Sequence, residues 1–377
     1  NKDNDNSYMP KQWVGCDVEA EYMGEERKQS KEDRKRLSKR DRSKYKKTDQ
    51  KMLKKAEDSS DDSLPTGRVL SIKSQEIIVE YEGKIYRCML RGILKKERNN
   101  MKNLVTVGDM VRFEPLNENE GAITFVNPRK SVLSRADNLS RRKEHLIAAN
   151  IDQVLITASV VNPPLKPFLI DRYIIATQKG NMNPVLIVNK VDLLENNEDP
   201  FVLEEKELYE EFLKAYAKSG FPIISISAET GEGLEALRDI MKDKSSVFSG
   251  QSGVGKSSLI NKITGIDLTV GETVSHTKKG AHTTTSAQLI PLSFGGWCID
   301  TPGIKSFGLW NLTPEEVEPY FDEIIEAGHH CKFPDCSHRH EKECAVIAAV
   351  EEGTISIIRY ASYIALLDTL AEEHKRR

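Results

Sequence analysis

The segment Gly250-Gln-Ser-Gly-Val-Gly-Lys256-Ser257 constrains this chain more than any other. It fits G-x-x-x-x-G-K-[ST], follows an apolar stretch read as a strand (Ser246–Phe248) and opens a stretch read as a helix (Ser257–Ile263). Strand, glycine-rich turn and helix in that order make a phosphate cradle. The glycines let backbone N–H groups wrap an anion, and the helix N-terminus adds its partial positive charge. Gly250, Gln251, Ser252, Gly253, Val254 and Gly255 form the expected loop. Lys256 is placed to reach β- and γ-phosphates and Ser257 to ligate Mg²⁺, with Ser258 completing the nucleotide-binding run.

The residues around this loop read as α/β. From Asn150 onward, strands are expected at Val154–Ser159, Pro184–Val188, Pro222–Ser225 and Ser246–Phe248. Helices are expected between them at Pro167–Gly180, Val202–Ser219 and Leu234–Met241. Such alternation predicts a parallel sheet covered on both faces. Three further motifs fall at its strand ends. In Asn189-Lys-Val-Asp192, the Asp192 carboxylate can accept from both the ring N–H and the exocyclic amine of guanine, a pairing adenine cannot reciprocate. The stem of Lys190 can cover the base, and Asn189 can tie its loop to the phosphate loop. Ser227-Ala228 can offer a backbone N–H to the guanine O6. Asp300-Thr-Pro-Gly303, after the apolar Trp297–Ile299, can hold Mg²⁺ through water at Asp300 and sense the γ-phosphate at the Gly303 N–H. The nucleotide read from these motifs is GTP or GDP.

The order of the motifs is informative. An ordinary Ras-like GTPase has its phosphate loop before its guanine-reading motifs; here Asn189–Asp192 and Ser227-Ala228 precede it. The same sheet forms if the original ends are joined and new ones opened elsewhere. The switch segments then feed directly into the C-terminal region.

Upstream of this domain the composition is different. Between Arg27 and Lys55 there are fifteen Lys/Arg against four Asp/Glu, a local net of +11 in a chain whose total is -3. A basic arm on an acidic body fits a polyanion partner, or else a solvated tail. Residues 1–63 are expected to be disordered or transiently helical. Then Gly67–Ile72, Glu76–Tyr81, Lys84–Leu90, Met110–Pro115 and Ala122–Val126 read as five short strands separated by turn signals such as Glu82-Gly83. That count suits a small OB-like β-barrel, although SH3-like barrels read similarly.

Three of the six cysteines, Cys331, Cys336 and Cys344, cluster beside histidines near the C-terminal end. With His338 they supply three thiolates and one nitrogen, a set suited to tetrahedral structural Zn²⁺ with no open position. His329, His330 and His340 are rivals for the nitrogen. Lys332, Arg339 and Lys342 beside them fit either RNA contacts or solvated charges. Cys298 reads as a small core residue. No apolar run approaches the roughly 18 residues of a membrane span, and no secretory signal is visible.

The combination of Asn189–Asp192, Gly250–Ser258, Gly280–Thr285, Asp300–Gly303 and Cys331-x4-Cys336-x-His338-x5-Cys344 resembles the RsgA/YjeQ family of circularly permuted, small-ribosomal-subunit-dependent GTPases. The resemblance covers roughly residues 64–370. With the basic tail read from composition (1–63), it gives a multidomain chain: an OB-like barrel (64–128), a linker (129–149), a circularly permuted P-loop GTPase domain (150–312) and a C-terminal helical zinc-binding module (313–377). It also implies hydrolysis stimulated by the small subunit late in its maturation, binding to rRNA, and a switch in Lys278–Thr285. Ala281 stands there where an arginine is common. Among Thr283, Thr284 and Thr285, Thr284 is assigned to Mg²⁺. Ile304 follows Asp300–Gly303 where many GTPases carry a water-orienting glutamine, and isoleucine cannot hydrogen-bond water. The family pattern then points to His282 as the catalytic residue, against its reading as a polar loop residue.

The rival to a GTP hydrolase is a GTP-gated RNA-binding assembly or translation factor with negligible turnover. Asp192 argues against an ATP-driven remodeller. A monomer without membrane association is expected in the bacterial cytoplasm. Because the chain begins with Asn1, the second choice is a chloroplast stroma or another organelle with bacterial-type ribosomes.

Overall fold

The computed structural model describes residues 63–73, 76–91, 104–136, 144–195, 197–265, 287–300 and 312–375. The basic arm Arg27–Lys55, the expected disordered tail up to residue 62, the switch with His282 and Thr284, and Gly303 and Ile304 lie outside these residues.

Five strands near the N-terminal end form a closed barrel: β1 (Thr66–Lys73), β2 (Glu76–Tyr81), β3 (Lys84–Leu90), β4 (Met110–Pro115) and β5 (Glu120–Val126). Their order is β1-β2-β3-β5-β4, and β1 closes the ring by pairing with β4. The β3–β5 pair is parallel and the others antiparallel. This closure decides between the two barrel readings in favour of the OB-like one. Alternation along β2 turns Ile77 and Val79 inward, where they join Val69, Cys88, Val111 and Phe113. The rings of Tyr81 and Tyr86 pack on Phe113, with centroids 6.0 and 5.0 Å away.

The expected linker also carries structure. Val132–Ala136 (β6) and Glu144–Ala149 (β7) pair antiparallel. Small buried residues such as Ala148 and Ala149 carry little β-propensity, so the sequence pattern does not mark this pair as strands. Asp109, fully buried, receives Nε and Nη2 of Arg129 at 2.7 and 2.8 Å and the Thr106 N–H at 2.8 Å, which holds this stretch to the barrel.

The second sheet runs β10 (Ile223–Ile226), β9 (Asn183–Asn189), β8 (Gln153–Ser159), β11 (Ser245–Ser249), β13 (Trp297–Asp300), β12 (Gln288–Pro291). All neighbours are parallel except β12–β13. β8, β9 and β11 are almost wholly buried, as strands covered on both faces must be. The covering helices include α1 (Pro167–Lys179), α2 (Pro200–Ala217), α3 (Leu234–Met241) and α4 (Lys256–Thr264). α2 starts where Asp199 accepts the Phe201 N–H at 2.9 Å and Pro200 fills the first turn. It buries Val202, Phe212 and Tyr216. Leu155, Ile187, Leu237, Met241, Phe248 and Leu259 form the core between sheet and helices. Through Ser71 opposite Gln288, β1 of the barrel continues this sheet, and Arg68 on β1 donates to Ser245 Oγ at 2.6 Å.

The C-terminal unit contains α5 (Asp322–Gly328), α6 (Ala345–Glu351) and α7 (Ile357–Lys375), and by its contacts also residues 167–172 of α1. Thr313 and Glu316 form a reciprocal capping box before α5, so Glu316 is a cap. No helix among the described residues is long and apolar enough to cross a membrane.

Candidate functional site

Four strand ends meet at one edge of the parallel sheet, where α/β folds bind ligands. β11 delivers Gly250, whose φ of 141° is open to glycine; a Cβ there would stand 2.0 Å from the Thr157 carbonyl of β8. Gly255 caps α4 with φ 94°, and a Cβ there would stand 2.3 Å from Asn189 Nδ2. Glycine at these two positions therefore lets the loop lie against the neighbouring strands. Lys256 leads α4 and donates from Nζ to the Gly250 and Gln251 carbonyls at 2.8 and 2.6 Å. Ser252, Gly253 and Ser257 face solvent, whereas Val254 is buried and pins the loop.

Asn189 ends β9 and is 1% exposed. Its Nδ2 donates to the Val254 carbonyl of the phosphate loop at 2.8 Å, and its Oδ1 accepts the Ala228 N–H at 3.1 Å. One amide therefore joins three loops. Lys190 follows in the left-handed region (φ 67°) and donates from Nζ to the Asn162 carbonyl. Burial lowers its pKa, with Asp192 pulling the other way. Asp192 sits in the 3₁₀ turn Val191–Leu194. Asn189, Lys190, Asp192, Ala228, Gly255 and Ser258 line one cleft of about 680 Å³. The Ser227 N–H donates to Glu232 and the Ala228 N–H to Asn189, so both are engaged within the protein. Ser227 Oγ accepts the Thr230 N–H at 3.1 Å and shapes the turn.

Asp300 closes β13, next to β11 through the parallel pairs Ser245–Trp297, Ser246–Cys298 and Val247–Ile299. Asp300 ends β13, and the neighbouring strand β11 leads into the loop before Ser257; carboxylate and hydroxyl are oxygen donors of the type Mg²⁺ takes. Gly303, His282 and Thr284 lie outside the described residues.

In the C-terminal unit, Cys331, Cys336, His338 and Cys344 are all buried, and their ligand atoms lie within 4.8 Å of one another. Cys331 Sγ and Cys344 Sγ are 3.8 Å apart, and His338 Nδ1 is 3.5 and 3.4 Å from them. Zn–S near 2.3 Å and Zn–N near 2.0 Å in a tetrahedron give edges of about 3.8 and about 3.5 Å. The cluster fits one zinc ion. His329, His330 and His340 are at the surface, so the nitrogen in the cluster is that of His338, turned inward by a φ of 60°. Burial pushes the Cys336 and Cys344 thiols up, a cost that a divalent cation reverses by stabilising thiolate. Glu341 braces the loop: its carboxylate accepts the Ser337, Arg339 and His340 N–H groups at 2.7, 3.0 and 3.2 Å. Burial alone would push Glu341 up, but these bonds and the Ser337 hydroxyl hold it well below the usual carboxylate range. Lys332 pairs with Glu343 and Arg339 with Asp368. Those two cations are thus already matched by carboxylates.

Residues 66–123 match the RsgA N-terminal domain and residues 126–310 the RsgA GTPase domain. The small ribosomal subunit biogenesis GTPase RsgA of Chlorobaculum parvum is 42% identical over 317 residues, covering 81% of this chain and 98% of that protein. This chain belongs to the RsgA GTPase family. The RsgA of Saccharophagus degradans is 37% identical, over 81% of this chain and 90% of its own length. YjeQ from Thermotoga maritima superposes with a TM-score of 0.66 at 33% identity, covering 81% of this chain and 98% of that one. YloQ, described as a circularly permuted GTPase, gives 0.62 at 28% identity over 84% and 97%. As a member of the RsgA family the chain is a GTP-hydrolysing enzyme in permuted order, with β8, β9 and β10 preceding the phosphate-loop strand β11. Mg²⁺ accompanies GTP in that family's chemistry.

Proposed function

We propose that this enzyme hydrolyses GTP on the small ribosomal subunit late in its maturation, binding rRNA, and is released as the GDP form. The observation that carries the reading is the Asn189 amide. It holds the base-reading turn, the Ala228 turn and the phosphate loop in one frame, so that base identity and phosphate position are read together. The curated relatives bear a name that states small-subunit biogenesis.

In this reading Asp192 accepts from guanine, and Lys190 covers the base. Gly250–Gly255, Lys256 and Ser258 hold the phosphates. Ser257, Asp300 and Thr284 would hold Mg²⁺, which would supply charge neutralisation at the phosphate oxygens. Water attacks the γ-phosphorus in line as the bond to the β–γ bridging oxygen breaks, leaving GDP and phosphate. His282 orients that water, and the Gly303 N–H faces the γ-phosphate. Zinc at Cys331, Cys336, His338 and Cys344 supports the fold of the C-terminal unit and takes no part in the reaction. The protein acts as a monomer in a compartment with bacterial-type ribosomes.

Phosphate release by the full chain is measured with GTP alone, with small subunits and with large subunits. Slow release alone and strong stimulation by small subunits only is the expected result. Equal rates in all three would overturn the assignment of partner.

A further inference from the structure

The turn joining β8 to α1, residues 160–166, carries no nucleotide motif, yet it is hydrogen-bonded to the Asn189–Lys190 end of the nucleotide site. It is tightly held. The Val160 N–H donates to the Asn189 carbonyl at 3.1 Å, Ser159 Oγ donates to the Pro163 carbonyl at 2.7 Å, and the Leu165 N–H donates to Glu205 Oε2 at 3.3 Å. Val160, Val161 and Leu165 are buried beneath it. At its apex Asn162 takes φ 48°, and its carbonyl accepts Nζ of Lys190. Beside it, Pro163 Cδ lies 3.5 Å from where a Cβ on Gly253 of the phosphate loop would stand.

A lysine side chain loses rotamer freedom when it is ordered. If a fixed acceptor orders it during folding, that cost is not charged again when nucleotide binds. Lys190 leaves its backbone in the left-handed region within the same cleft as Asp192, and its ammonium is held at the far end by the turn. Its side chain therefore lines the cleft with the ammonium tied to the turn. We propose that the Asn162 carbonyl is a positioning element of the guanine site: it anchors the Lys190 ammonium so that the stem covers the base. The inference rests on the reading of Lys190 as the base-covering residue.

Asparagine is among the few non-glycine residues that tolerate positive φ, and alanine at this φ is disfavoured. Asn162→Ala therefore displaces the carbonyl without altering any motif residue, whereas Asn162→Gly retains the backbone. Lys190→Met keeps a stem of similar length and removes the ammonium. Dissociation of a fluorescent GDP analogue from the full chain is followed by stopped flow for each variant and for Asn162→Ala combined with Lys190→Met. Asn162→Ala and Lys190→Met are each expected to speed release about fivefold, the effect of losing one hydrogen bond. Asn162→Gly should stay within about twofold of the parent, and the double variant within about twofold of Lys190→Met alone. The KM for GTP should rise with the release rate, while kcat at saturation moves less. Effects that multiply in the double variant, or parental release in Asn162→Ala, would overturn the role of Asn162. A parent chain holding GDP no better than ADP would instead overturn the guanine reading beneath it.

Discussion

In the proposed reading, Asp192 and Asn189 divide base recognition between a replaceable contact and a buried frame. Asp192 lines the cleft, so Asp192→Asn removes a charge-assisted pair of bonds to guanine without disturbing a core. GTP affinity should fall on the order of 100-fold, and xanthine nucleotides, whose altered edge offers an acceptor to the new amide, should bind better than in the parent. Competition by XTP against labelled GDP measures both, and unchanged GTP affinity would remove Asp192 from the base site. Asn189 is different because its amide is wholly used inside the protein. The structural and functional roles of one motif thus fall on residues three positions apart.

Two elements of the C-terminal unit are held by polar groups that no motif marks. The loop between Cys336 and Cys344 is braced by Glu341, which accepts three backbone N–H groups. Glu341→Ala should weaken zinc affinity by about tenfold, as loss of supporting bonds around a metal site does, measured by competition with a chromogenic chelator. The Glu341 pKa is lowered on folding, so its contribution is in force at neutral pH and is lost only as pH falls through the lowered folded value. Removing zinc, or Cys336→Ser, should loosen the segment after Phe321 in hydrogen exchange while GDP still binds. Stoichiometric metal analysis that finds no zinc would end that reading. Arg359 on α7 is 4% exposed, paired with Asp171 on the first turns of α1 and with Glu323 at 2.7 Å, and its guanidinium lies 4.3 Å over the Phe321 ring. Arg359→Met strips the counter-charge from a buried carboxylate and should cost about 3–5 kcal/mol in denaturant unfolding. Arg359→Met with Asp171→Leu should cost less, because the orphaned charge is then gone.

At the scale of the molecule, permutation changes what the switch is attached to. β12 begins at Gln288, six residues beyond His282, and pairs with β13 on one side and with barrel strand β1 on the other. A strand leaving the switch is therefore hydrogen-bonded both to the strand ending in Asp300 and to the OB-like barrel. His282→Ala should keep GTP affinity and subunit binding but lose most of the stimulated rate, by about 100-fold if it orients the attacking water. Thr284→Ala is the control, because loss of a Mg²⁺ ligand slows turnover with a changed Mg²⁺ dependence. Full stimulated turnover in His282→Ala would assign water orientation elsewhere.

The phosphate loop, Asn189–Asp192 and the cysteine spacing were legible before any fold was known, because each is a run of neighbouring residues whose chemistry depends on local backbone geometry. The strands of the barrel were legible for the same reason: alternation along β2 and β4 is a local property. What joins distant residues was not. Barrel closure through β1 and β4, with β3 parallel to β5, separates the OB-like fold from an SH3-like one, and neither pairing leaves a trace in local pattern. The choice of His338 over three neighbouring histidines follows from its inward turn onto Cys331 and Cys344. The bond from the Ala228 N–H to Asn189, 39 residues away, likewise follows only from the fold. Asn162 carries no signature at all, since its role resides in a backbone carbonyl that every residue possesses and only the folded turn presents to Lys190.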